Sequence, residues 1–144
     1  VLIDYTKPST EKRFYILDLL QKKLLLSTYV AHGRGSGDNY AVAFSNRPGS
    51  YQSSLGFFRT GDTYMGKNGY SLFLDGLEKG INDKARERAI VVHGANYADP
   101  AVLKGQQRLG RSLGCPALPP DISKQVIDTI KGGVLLYIYG LNKA

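Results

Sequence analysis

The chain has one cysteine, one methionine, two histidines and no tryptophan among its 144 residues. A lone thiol cannot close an internal disulfide, so the fold rests on an apolar core, for which the chain is long enough. Cys115, His32 and His93 lack ligand-spaced companions, so neither a metal nor a cofactor is expected. No apolar stretch approaches the ~20 residues that span a bilayer. No signal peptide opens the chain, but Val1 already starts a strand-like run, so this says little about compartment. Acidic side chains are the scarcer charge, 12 against 19 Lys and Arg, which leaves a net +7. The bases are scattered and carry no nucleic-acid-binding signature, so no nucleic acid partner is expected. A soluble surface and a polyanionic partner of another kind both fit that charge.

Glycine (17) and tyrosine (10) are plentiful, and so many glycines favour turns and strands over a helical bundle. The runs VLIDYT (1–6), RFYILDL (13–19) and LLLSTYVAHG (24–33) read as strands, the last two joined at LQKK by a turn that two lysines keep in water. A Gly/Ser/Asn-rich tract from Gly33 to Gly56 reads as a long surface loop. SLFLDGLEKG (71–80) sets Leu72 and Leu74 against Ser71 and Phe73, as a strand entering a turn does. INDKARER (81–88) offers one or two helical turns that Asn82 or Asp83 could cap. The unbroken AIVVHG (89–94) suggests a strand buried on both faces and ending at His93. The clearest helix is PPDISKQVIDTIKGG (119–133), where Ile122, Val126 and Ile130 recur at four-residue spacing and Ile127 widens the stripe. VLLYIYG (134–140) closes the chain's strands. The expected architecture is one domain over 1–144, mainly β, with one amphipathic helix near the C-terminus.

Cys115 stands in GRSLGCPAL (110–118), a loop without helical or strand period. A free thiol titrates near ~8.5, so reactivity at neutral pH needs a base, amides or cations close by. His93 leaves a stiff strand into Gly94, whose bare carbonyl can accept from one ring nitrogen and set the tautomer. Gly114 lets the backbone approach a ligand, and the amides of Gly114 and Cys115 could face a developing oxyanion. A cysteine between glycine and proline can equally be a small buried apolar group, and a histidine at a strand end a structural hydrogen-bonding residue.

His93-Gly94, followed some twenty residues later by Ser112-Leu113-Gly114-Cys115, resembles the signature of the L,D-transpeptidase catalytic domain, the cysteine enzymes that cross-link or edit bacterial peptidoglycan. SSLGFFRTG (53–61) is similar to that family's segment ending in Gly-x-Phe. HGANYA, GRSLGCPAL and SNRPGSYQSSLGFF together resemble a divergent murein subgroup, from about Ser45 to Leu118. Leu113 stands where the usual motif has a second histidine, which His32 does not replace on sequence grounds. Ala117 stands where Arg or Asn commonly follows the cysteine.

The resemblance implies a β-sandwich or mixed sheet and a site in which Cys115 is the nucleophile and His93 the base. Gly94 would orient His93, Ser112 would support the loop, and Gly114 and Cys115 would form the oxyanion hole. It implies attack on a peptidoglycan stem peptide, release of D-alanine, transfer of the thioester to an amine as a 3–3 cross-link, and an extracytoplasmic place of work. Arg111, Lys67 and Arg88 are the candidates for substrate carboxylates, and carbapenem-type inhibitors are implied ligands. Two other readings stay open. One is hydrolysis at the same site, as an L,D-carboxypeptidase or endopeptidase. The other is a non-catalytic wall-binding module, which the basic charge, the tyrosines and Leu113 would suit.

Overall fold

A computed structural model describes residues 1–143. Eight strands form one mixed sheet: β1 Leu2–Asp4, β2 Phe14–Asp18, β3 Lys23–Thr28, β4 Gly56–Gly66, β5 Gly69–Gly76, β6 Val91–Gly94, β7 Ala117–Leu118 and β8 Leu135–Tyr139. Their spatial order is β3-β2-β1-β8-β4-β5-β6-β7. The pairings are antiparallel except β1 with β8 and β6 with β7. The chain leaving β3 crosses to the far edge, where Ala31 and Ala117 exchange N–H···O bonds of 2.8 and 3.2 Å. The segment that follows β3 therefore bridges to β7 and to the loop that holds Cys115.

The single α-helix of the described residues, α1 Pro120–Ile130, lies against β5 and β6. Pro120 opens it, where a missing N–H costs nothing, and Gly132 and Gly133, both at positive φ, end it. Val126, Ile127 and Ile130 are buried, Ile122 partly so, matching the stripe in the sequence. They meet Ile3, Phe14, Phe58, Leu72, Leu74, Val92 and Leu136 in the main core. Gly94 is needed where α1 approaches β6, because a Cβ there would stand 2.5 Å from Ser123 Oγ.

The longest strand, β4, carries no clear alternation in sequence. Phe58 and Thr60 point inward while Phe57 and Arg59 point out, so an aromatic occupies the solvent face and a hydroxyl the core face. Thr60 earns its buried place by donating to Ile130 O at 2.7 Å and accepting from Val134 N–H at 2.8 Å. The Gly33–Gly56 tract is irregular apart from a short 3-10 turn, Arg34–Ser36, as expected of a loop. It is less a surface loop than a pinned one, with Ser36, Ala41, Ser53 and Ser54 buried.

Residues 81–88 form successive turns rather than a capped helix. Asn82 is fully buried and clamps strands: its Oδ1 accepts from Glu78 N–H at 2.9 Å, and its Nδ2 donates to Leu55 O and Phe57 O, both at 2.9 Å. A run this short gains little from helix formation, and the bonds of Asn82 to Glu78, Leu55 and Phe57 hold it in turns. Asn82→Ala strands the Leu55 carbonyl and the Glu78 amide, while Phe57 O keeps the Leu77 N–H, and should lower unfolding stability by about 2–4 kcal/mol in urea titration.

Candidate active site

Parallel pairing of β6 with β7 sets His93 opposite Ala117 and Gly94 opposite Leu118. Counting back two residues brings Cys115 level with Val91, and the Val91 N–H indeed donates to Cys115 Sγ at 3.4 Å. Residues two apart share a face of a strand, so Val91 and His93 point to the same side while Val92 enters the main core. His93 and Cys115 thus line one cavity of ≈ 370 Å³, with Tyr64, Lys67, Arg88, Tyr97, Arg111, Ser112 and Leu113 around them.

The imidazole of His93 is held at one nitrogen. Gly94 O can only accept, so Nδ1–H donates to it at 2.9 Å and the neutral ring carries its lone pair on Nε2. Burial holds the His93 pKa below its ordinary value, and the bond to Gly94 opposes this in part. Burial pushes the Cys115 thiol up, against the Val91 N–H and the positive charges of Arg88 and Lys67. At rest the Sγ–H donates to Ala89 O at 3.3 Å. Both shifts favour a neutral thiol beside a neutral imidazole over an ion pair.

Ser112 fixes the Cys115 loop. Its Oγ donates to Cys115 O at 2.6 Å and accepts from Gly114 N–H at 3.1 Å. Gly114, expected as an oxyanion donor, therefore turns its amide into its own loop, because the serine hydroxyl needs a donor when buried. The Cys115 N–H has no acceptor among the described residues. Gly114 has φ +132°, and a Cβ on it would stand 2.9 Å from Ile90 Cδ1 and 3.0 Å from Gln52 O, so only glycine fits.

The three bases expected to meet substrate carboxylates all border the cavity but differ in freedom. Arg88 is committed to the long loop, donating to Ser45 O, Ser54 Oγ, Ser50 Oγ and Gln52 O at 2.8–3.2 Å. It is a brace whose charge reaches Cys115 rather than an open carboxylate ligand, because both of its Nη groups are engaged inside the protein. Arg111 pairs with the exposed Asp38 at 3.0 Å. Lys67, in the β4–β5 turn, has no ion-pair partner among the described residues.

His32 lies outside the cavity. It is buried, accepts at Nδ1 from Arg13 Nη2 at 2.8 Å and donates from Nε2 to Gly37 O at 3.1 Å. Burial and the Arg13 charge pull its pKa down to about 4. Leu113 borders the cavity where the second imidazole of the motif would stand, and Ala117 packs into a small cluster with Ala31 and Ala98. Two contributors escaped the sequence reading: the Val91 amide, and Tyr97, whose pKa burial raises to about 12. Tyr97 belongs to the HGANYA run, but only the 3-10 turn Asn96–Ala98 that follows β6 brings it to the thiol's cavity.

Among curated proteins none matches by sequence. Solved structures do match in fold. An L,D-transpeptidase from Mycobacterium smegmatis superposes with TM-score 0.56 at 12% identity, over 96% of this chain and 57% of that one. The helical cell shape determining protein Pgp2 from Campylobacter jejuni gives 0.61 at 16%, over 99% and 48%. The LD transpeptidase LdtMt1, solved in complex with imipenem, gives 0.54 at 13%, over 96% and 57%. The chain spans about half the length of these structures. Residues 1–139 match the family model described as L,D-transpeptidase catalytic domain, and the chain belongs to that family.

Proposed function

We propose that this chain is a cysteine L,D-transpeptidase acting on peptidoglycan stem peptides, with 1–144 as its catalytic domain and the periplasm or cell envelope as its place of work. The observation that carries this reading is the delivery of His93 and Cys115 to one cavity by adjacent strands, with the His93 lone pair on Nε2. Family membership supports it.

In this reading the stem peptide's carbonyl enters beside Cys115. The Sγ–H proton passes to His93 Nε2 as sulfur adds to the carbon, so charge separation occurs during attack rather than at rest. The oxyanion faces the Cys115 N–H, a donor worth about 3 kcal/mol where such a hole operates. Arg88 and Lys67 favour the same negative charge from further away. Collapse expels the amine of D-alanine, which takes the proton from His93. An acceptor amine then attacks the thioester and gives its proton to His93; the C–S bond breaks, the Cys115 thiolate takes that proton back, and a 3–3 link is left. Lys67, among the described residues the one cation of the cavity with neither an ion pair nor loop bonds, is the foremost candidate for a substrate carboxylate.

Incubation with a disaccharide-tetrapeptide followed by mass spectrometry should show lost D-alanine and a cross-linked dimer. Cys115→Ala should abolish both products, and His93→Ala should lower the rate by about 10²–10⁴-fold. Trimmed monomer that has gained water, without dimer, would identify the hydrolytic reading instead. Product from Cys115→Ala equal to that of the native chain would sink both.

Imipenem, bound by the fold neighbour LdtMt1, should add its mass to this chain and none to Cys115→Ala. The pKa directions also predict a pH profile. His93 must be neutral to accept a proton, and its pKa is lowered, so kcat/KM should fall only below about 6.5. Cys115 must start as a thiol, and its pKa is raised, so the alkaline limb should lie above about 8.5. Iodoacetamide alkylation should accelerate through that same alkaline range; a rate flat down to acidic pH would show a resting ion pair instead.

A further inference from the structure

Beyond the Ile16–Leu26 pair, β2 and β3 leave the core as a free arm. Leu24 and Leu25 stand at a bulge, where Ile16 pairs with Leu26 and Leu17 with Leu24, and they are 56% and 54% exposed. Leu17, paired across from Leu24, is 40% exposed. At the tip Leu19 and Leu20 reach 78% and 97%. After Gln21 come Lys22 and Lys23, exposed and without an ion pair among the described residues, while Asp18 accepts from the Gln21 N–H at 3.1 Å inside the turn.

Five exposed leucines on one hairpin form an apolar patch rather than the isolated hydrophobes of an ordinary surface. Their distribution selects the medium that would cover them. The most exposed, Leu19 and Leu20, project from the tip with Lys22 and Lys23 beside them, so the medium that covers them takes up an apolar tip and positive charge together. A lipid interface does this, and two adjacent lysines match anionic headgroups while their stems lie along the apolar layer. Because β3 is the sheet's edge strand, its unpaired backbone groups restrict the arm to the headgroup zone, where water still reaches them. No helix of the described residues can cross a membrane, so any contact with lipid has to be peripheral of this kind or lie elsewhere.

We propose that the β2–β3 arm, with Leu19 and Leu20 at its tip and Lys22 and Lys23 beside them, is a shallow anchor for anionic membrane surfaces, independent of the chemistry at Cys115. Co-sedimentation of the protein with phosphatidylglycerol vesicles, against phosphatidylcholine alone, tests it. Binding should favour the anionic vesicles and weaken with salt. The double variant Leu19→Asn/Leu20→Asn should weaken it about tenfold or more, and Lys22→Ala/Lys23→Ala should weaken it and flatten the salt dependence. Both variants should keep the native melting temperature, since the replaced side chains touch little. The chain has no tryptophan, so Leu20→Trp supplies a sole reporter whose emission should shift to the blue on adding anionic vesicles. Native protein that stays in the supernatant overturns the proposal, as do unchanged binding by the leucine variant and an unshifted Leu20→Trp emission. A dimer in sedimentation equilibrium that the leucine variant disperses overturns it too, by seating a second copy on the arm.

Discussion

The parallel register between Val91–Gly94 and Ala117–Leu118 is the constraint on which the site depends. It makes Cys115 level with Val91 and sends His93 to the same face two residues further along. A slip of one residue would turn the imidazole into the main core and replace it with Val92. Neither partner sets this register alone. Gly94 lets α1 approach closely enough to cover the strand, and Ala117 is small enough to sit in the alanine cluster below it.

That register is itself held from the other side. The chain from Ala31 to Arg34 bonds to Ala117 and Ser112, closing the sheet against the loop. Behind it stands Arg13, fully buried and without a carboxylate, donating to Val30 O, Lys7 O and His32 Nδ1 and lying 4.7 Å from the Tyr5 ring centroid. Burial brings its pKa down to about 10, so it stays charged at neutral pH. Carbonyl oxygens and a ring face replace the missing counter-ion, which ties several backbone positions to one cation. His32 is thereby engaged as a brace and stays neutral, which separates its work from that of His93.

The electrostatics of the cavity follow from the same packing. Covering β6 on both faces desolvates Cys115 and His93, and desolvation moves their pKa values apart in the directions that keep both uncharged. Arg88 and Lys67 lean the other way without touching the sulfur. The arrangement suits a proton transfer that coincides with bond formation, and it makes the long 33–56 tract part of the site, since Arg88 holds that loop through four bonds.

Short-range chemistry was legible from the residues. The α1 stripe, the buried strand at the VVHG end of AIVVHG (Ala89, exposed and at positive φ, turns before it) and the kinship of His93-Gly94 with Ser112-x-Gly114-Cys115 depend on neighbours within a few positions, and the family match accords with the last of these. β4 stayed hidden because Phe57 and Thr60 reverse the usual faces, a choice set by Tyr137 and by the end of α1, both far along the chain. Which of Arg88, Arg111 and Lys67 keeps free donors, and where the Gly114 amide points, were likewise beyond sequence. Hydrogen-bond partners of a loop are fixed by what folds against it, and residue type alone cannot say which donors that contact consumes.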